Sequence, residues 1–187
     1  MRGKITILLP LLSLLSSPVL LTDVGFAGGN GKSTETRFEA ELEPCSGCPE
    51  LEAEGDADYR LHTVKGALKQ ERFRVKVKIP FPSVSIPDAT AAQAADVRVI
   101  LSAIDPVTLT LTQYAECSLE LTGTEEDEAV YMVDVRNKPK KQATVLQEVH
   151  GSCGGSVPVV EANDVATARL VTGLTTTDLL TGTFEED

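Results

Sequence analysis

Between Glu71 and Ile79 the chain alternates without a break: Phe73, Val75, Val77 and Ile79 are apolar, while Arg72, Arg74, Lys76 and Lys78 are cationic. A pleated strand puts every second side chain on the same face, so this segment can bury its apolar set and keep its cations outside. A helix would scatter both sets around its circumference. Arg37–Glu43 repeats the pattern with the opposite charge, with Phe38, Ala40 and Leu42 on one side and Glu39, Glu41 and Glu43 on the other. As neighbours the acidic and basic faces would stabilise each other by about 0.2–1 kcal/mol per opposed pair, which favours a shared sheet.

Further alternating segments are Ala57–Val64, Asp96–Ala103, Leu109–Gln113, Ala115–Leu121, Ala129–Arg136, Ala143–Val149, Val165–Val171 and Leu179–Glu185. Gly, Pro, Asp and Asn punctuate the gaps, and Lys65-Gly66 is placed to turn a hairpin into the basic strand. Asp88–Ala95 is the exception, an Ala-rich stretch that Asp88 can cap as a short helix, reached through an extended crossover containing Pro80, Pro82 and Pro87. The expected fold is all-β, an antiparallel β-sandwich of about 8–10 short strands with one short connecting helix. It occupies residues 37–187 as a single domain, after a flexible linker at 28–36. An outer-membrane barrel would need apolar outward faces, and these carry charge.

The first 27 residues obey different physics. Arg2 and Lys4 form a basic front, Ile7–Leu21 is almost unbroken apolar sequence, and the small residues Gly25 and Ala27 precede Gly28-Gly29-Asn30-Gly31. That order is the pattern of a secretory signal peptide covering residues 1–27 and cleaved after Ala27. A retained anchor fits less well, because Pro10 and Pro18 interrupt a segment near the roughly 20-residue minimum for a spanning helix. The expected location is periplasmic or extracellular, in a bacterium. Asn30, Asn137 and Asn163 all lie outside glycosylation acceptor sequences, which agrees with that origin.

The leader takes Arg2, Lys4 and Asp23 from the chain's 17 basic and 28 acidic side chains, so the net charge moves from −11 to about −12. A surface of that sign repels phosphate backbones and anionic lipids. Nucleic-acid binding and peripheral membrane attachment through a basic face are therefore disfavoured. Solubility, a cationic partner or calcium are all consistent with it.

Cys45, Cys48, Cys117 and Cys153 fall in the exported part, where oxidation is permitted, and their even number predicts two disulfides. Of the possible pairings, Cys45–Cys48 with Cys117–Cys153 is preferred, because the close pair can oxidise locally. Closing the 117–153 loop is worth about 3–4 kcal/mol. Cys45-Ser46-Gly47-Cys48 also invites chemical readings. Haem attachment needs a histidine after the second cysteine, and position 49 is Pro. A thiol–disulfide redox centre needs its first thiol at a helix N-terminus, whereas Glu43-Pro44 and Pro49-Glu50 flank this pair with turns. A four-cysteine zinc site would need Cys117 and Cys153 beside the close pair, without the usual spacing of two close pairs. No cofactor or metal is assigned, and redox or metal chemistry at Cys45 and Cys48 stands as the alternative to a structural bridge.

His62 and His150 are the chain's two imidazoles, which limits schemes built on a histidine-activated nucleophile. His150-Gly151-Ser152-Cys153 comes closest, yet an oxidised Cys153 is no nucleophile, and Cys153-Gly154-Gly155-Ser156 has the composition of a loop. Phosphate-binding loops, nucleophile elbows and two-histidine zinc motifs are missing from the sequence. No catalytic residue is assigned. Glu125-Glu126-Asp127-Glu128 separates two strands in the manner of a solvated hairpin loop. Calcium needs about 6–8 converging oxygens, and neither this run, Asp56-Ala57-Asp58 nor Asn163-Asp164 has the spacing of a helix-loop-helix calcium motif.

Ala53, Gly55, Ala57, Tyr59 and Leu61 at alternate positions, followed by Phe73, Val75 and Val77, resemble the opening strands of CHRD-type secreted domains. Leu180-Thr181-Gly182-Thr183-Phe184 is similar to their closing strand. Val97-Arg98-Val99-Ile100-Leu101 departs from that family in lacking its histidine-containing segment. The resemblance implies an exported, noncatalytic β-sandwich and transfers no functional residue.

The expected function is accordingly binding, assembly or structural support outside the cytoplasm, with another exported protein as partner. Leu179–Glu185, at the chain end, is the expected edge strand for such a partner, with Leu180 and Phe184 as contacts. A place in the core is the simpler use of the same two side chains.

Overall fold

The computed structural model describes residues 32–49, 52–125, 127–140 and 143–187. Residues 1–27, expected to be a signal peptide, and 28–31 of the expected linker lie outside the described residues. The elements in chain order are β1 (Ser33–Pro44), β2 (Glu54–Val64), β3 (Ala67–Pro80), α1 (Ala89–Ala94), β4 (Asp96–Ile104), β5 (Leu111–Ser118), β6 (Glu120–Glu125), β7 (Glu128–Lys140), β8 (Ala143–His150), β9 (Val165–Thr172), β10 (Thr175–Thr183) and β11 (Glu185–Glu186). The fold is all-β and antiparallel, with one short helix, as the alternation predicts.

Local chemistry explains the connections. Lys65 and Gly66 both take positive φ (54° and 73°), the pair of left-handed residues that a tight β2–β3 hairpin demands. Asp88 caps α1 by accepting from the Ala91 amide at 2.8 Å, and Tyr131 Oη donates to the Ala92 carbonyl at 2.8 Å, which ties the helix to β7.

Three boundaries differ from expectation. β1 begins at Ser33, so 33–36 of the expected linker are paired with Leu61–Val64 of β2. Those residues carry no apolar face for periodicity to reveal, and the long β2–β3 hairpin supplies their backbone partners. Leu109–Gln113 and Ala115–Leu121 are not strands divided at Tyr114. β5 runs through Tyr114 by bulging opposite Leu101 and Ser102, and the chain breaks at Leu119 instead. The acidic face of β1 and the basic face of β3 share a sheet but do not touch, because β2 lies between them.

The hydrogen-bonded strands form one continuous path, β5-β4-β9-β10-β1-β2-β3-β7-β6, with β11 beside β1 and β8 beside β7. Leu119 alone separates β5, at one end of this path, from β6, at the other. The sheet must therefore curl until its ends meet. Two features fasten the seam: paired backbone bonds between Ser118 and Ser152 (2.8 and 3.0 Å) and the adjacent Cys117–Cys153 disulfide. At the opposite turn of the curl, β1 pairs with β11 at Phe38 and Glu39 and with β10 at Glu43 and Pro44. Gly182 makes that corner possible, since a Cβ there would sit 2.1 Å from the Glu41 carbonyl oxygen.

Inside the curl, Phe73, Val75, Val77 and Ile79 of β3 meet Val97, Val99 and Leu101 of β4, Tyr131, Val133 and Val135 of β7, and Leu180 and Phe184 in one core. Each fully buried aliphatic or aromatic side chain contributes about 1.5–3 kcal/mol, so the alternation that defines the strands also supplies the main force that holds them. The same alternation turns the charged residues of β1, β2, β3 and β7 outward onto one face.

Candidate functional site

On that outer face the register stacks charges in rows. Arg37, Arg60, Arg72 and Arg136 lie directly opposite one another across β1, β2, β3 and β7. Two residues along each strand, Glu39, Asp58, Arg74 and Asp134 form the next row, and Glu41, Asp56, Lys76 and Met132 the third. Like charges placed opposite on adjacent strands repel, so a row of four guanidinium groups needs compensation from the row beside it.

Two buried aspartates provide it. Asp58 accepts from Arg37 Nε at 3.1 Å and from Arg60 Nε at 3.0 Å. Asp134, only 3% exposed, accepts from Arg72 Nε and Nη2 at 3.0 and 2.7 Å and from Arg136 Nε at 2.8 Å. Burial alone would push the Asp134 pKa up. The hydrogen bonds from Arg136 and Arg72, with their charges, outweigh it and hold the carboxyl well below the usual range. Further along β3, Lys78 Nζ lies 2.7 Å from Glu54 Oε1, and this bond, with the charge of Lys78 and then of Lys76, lowers the Glu54 pKa.

Arg74 is left over. It stands in register between Asp58 and Asp134, whose oxygens are occupied by the four arginines of the first row. Its Nε is the single buried side-chain nitrogen or oxygen without a hydrogen-bond partner among the described residues. The face around it is a groove of about 480 Å³ that Arg74 and Lys76 share with Glu41, Asp56 and Gly55. A second groove of about 560 Å³ adjoins it along β1, β10 and β11, lined by Glu39, Glu41, Glu43, Glu185, Glu186 and Asp187. A basic lane on β3 thus runs beside the acidic residues of β2, and the acidic lane at the chain's end lies beyond them along β1.

The cysteines pair as expected, Cys45 with Cys48 and Cys117 with Cys153, with Cα separations of 5.2 and 4.1 Å. Leu180 and Phe184 require a correction, because both are fully buried in the core and offer a partner no surface. The edge argument fails with them, since β10 is hydrogen-bonded to β9 on one side and to β1 on the other. Exposed apolar side chains lie instead at Val107, Leu109 and Leu111, by the free edge of β5. His150 approaches Glu120 Oε2 at 3.4 Å, while Ser152 Oγ donates to Glu148 at 2.6 Å, so the structure does not join His150 to Ser152. His62 Nε2 lies 2.6 Å from Ser33 Oγ at the β1–β2 edge. Glu125 pairs with Glu128 across the β6–β7 turn; Glu126 lies outside the described residues. Among the described residues no group of three or more His, Cys, Asp or Glu side chains could hold a metal ion.

The arginine row and the unpaired Arg74 are absent from the sequence-based expectations. Their signal was available: Glu54, Asp56, Asp58 and Arg60 alternate just as Arg72, Arg74, Lys76 and Lys78 do, and the Lys65-Gly66 turn makes the two segments partners. No protein-family model, curated protein or solved structure matches this chain.

Proposed function

We propose that the chain is an exported, noncatalytic binding or assembly module of the periplasmic or extracellular space, released from its leader after Ala27, and that the charged face of β1, β2 and β3 receives another exported protein. One observation carries this reading: a charged groove at whose centre the buried Nε of Arg74 has no hydrogen-bond partner among the described residues, although two carboxylates flank it in register. A stabilising network satisfies its members. A surface held ready for a partner leaves a group open.

Two further points support it. The Cys45–Cys48 pair closes a turn at the end of β1, with the Cys48 amide bonded to the Cys45 carbonyl at 2.9 Å, a setting that suits a staple. The basic front, apolar run and small-residue site occur in the order that export requires.

Intact-mass measurement on exported protein tests the location, and a chain starting at Gly28 is expected. For the binding role, tagged mature protein is incubated with the exported fraction of the source cells at low and high salt. A partner retained at low salt, released at high salt and lost with Arg74→Glu plus Lys76→Glu at unchanged melting temperature is the expected result. Equal retention by the double variant contradicts the assignment of this face.

A further inference from the structure

We propose that Arg74 anchors a subsite for a single carboxylate. The inference rests on the reading of this face as a recognition surface and specifies the chemistry recognised there.

The charge count sets the ligand's charge. Six cationic side chains and five carboxylates line the groove, a surplus of one positive charge in a chain whose net charge is −11. Asp58 and Asp134 are spent on the arginine row and Glu54 on Lys78, so Arg74 and Lys76 are the groove cations left without an ion pair among the described residues, and of these Arg74 holds the buried Nε that lacks an acceptor. A guanidinium presents a planar fork that fits a carboxylate through two parallel N–H bonds, and such charge-assisted bonds are roughly twice as strong as neutral ones. Glu41 and Asp56 border the site, and their repulsion grows with the negative charge a ligand brings, which favours a singly charged anion over a multiply charged one.

Withdrawing a charged N–H from water without an acceptor is unfavourable, and turning the guanidinium onto an incoming carboxylate relieves that cost. The carboxylate can belong to a small free acid or to an Asp, Glu or terminal carboxyl group of the partner protein.

The test uses the full mature protein with isotopically labelled arginine, titrated with acetate, with sulfate and with a short peptide carrying one Asp, all at constant ionic strength. Saturable movement of the Arg74 side-chain resonance by acetate is expected, at least about tenfold weaker binding in Arg74→Gln, and unchanged binding in Arg169→Gln, whose parent arginine pairs with Asp178 on the far half of the sheet. Peptide binding at least about tenfold tighter than acetate assigns the carboxylate to a partner chain; equal binding assigns it to a small acid. Shifts that chloride reproduces, that persist in Arg74→Gln, or that sulfate saturates more tightly than acetate overturn the proposal. Acetate binding at Arg74 without any captured exported protein leaves the subsite standing and removes the protein-partner reading, whereas salt-sensitive capture through this face without acetate binding does the reverse.

Discussion

Arg74 of β3 lies directly opposite Asp134 of β7, yet the aspartate is hydrogen-bonded to Arg72 and Arg136 instead. A cation and an anion in register normally pair. Here the aspartate serves the arginines one row away, and that division of charge keeps four like-charged side chains tolerable in one row while leaving a fifth free.

Removing the Asp134 charge should therefore unsettle the whole face. Asp134→Asn strips Arg72 and Arg136 of their buried countercharge and turns one of the two acceptor oxygens into a donor, a change expected to cost up to about 3–5 kcal/mol. The pH dependence follows from the lowered pKa. The folded value lies below the ordinary carboxylate value of 3.8, so this stabilisation is fully present above that pH and lost as the pH falls through the folded value. Chemical denaturation from pH 6 down to pH 2 should show an acid loss of stability in the wild type that is smaller in Asp134→Asn.

The tyrosines act at the other end of the scale. Burial, with the nearby Glu71, raises the Tyr59 pKa; burial and the hydrogen bond to Asp164 raise that of Tyr114; burial pushes Tyr131 up to about 12. A phenol raised above its ordinary value of 10.0 favours the folded state below that pH, and the benefit disappears as the pH climbs through the folded value. Stability measured between pH 9 and 12 should fall, and the 295 nm absorbance of ionised tyrosine should rise together with unfolding rather than before it.

Alternation along Phe73–Ile79 made the strands legible, because burial acts on every second side chain and leaves its period in the sequence. Register was less legible. It depends on which strands the curl brings together, so the opposed acid and base of β1 and β3 were read as favouring one sheet without the acidic strand β2 that separates them. The same limit applies to β10, whose position at the chain's end resembles an edge until Gly182 lets β1 close over it. Arg74 was legible as an outward cation, but its lack of a partner depends on where Asp58 and Asp134 turn, which no local pattern records.

The seam between β5 and β6 gives a prediction about the disulfide. Cys117 is fully buried, and its bond to Cys153 closes a loop of 36 residues beside the Ser118–Ser152 bridge. Replacing both cysteines with alanine should lower stability by about 3–4 kcal/mol by the loop-entropy relation. Equal loss from breaking Cys45–Cys48, which spans three residues, would contradict the role given to the seam.

At the other corner, Gly182→Ala places a methyl group 2.1 Å from the Glu41 carbonyl oxygen and 2.9 Å from a Leu42 side-chain carbon. Backbone must move to admit it, so a destabilisation of more than about 1 kcal/mol is expected, with faster hydrogen exchange along the β1–β10 pairing. Gly123→Ala, where added bulk meets nothing within 4 Å, should leave that exchange unchanged and serves as the comparison.

The division of charge around Arg74 can be observed without any ligand. Arginine side-chain NMR reports how freely each guanidinium rotates about its Cζ–Nε bond, and rotation is slowed when the terminal nitrogens are held by an acceptor. Arg72, bound to Asp134 through Nε and Nη2, should rotate slowly, and Arg74 should rotate faster. In Asp58→Asn, which removes charge without adding a partner, Arg74 should stay fast. An Arg74 held as firmly as Arg72 in the wild type, and released by Asp58→Asn or Asp134→Asn, would show that it is paired within its own chain and would contradict a face left open for a partner.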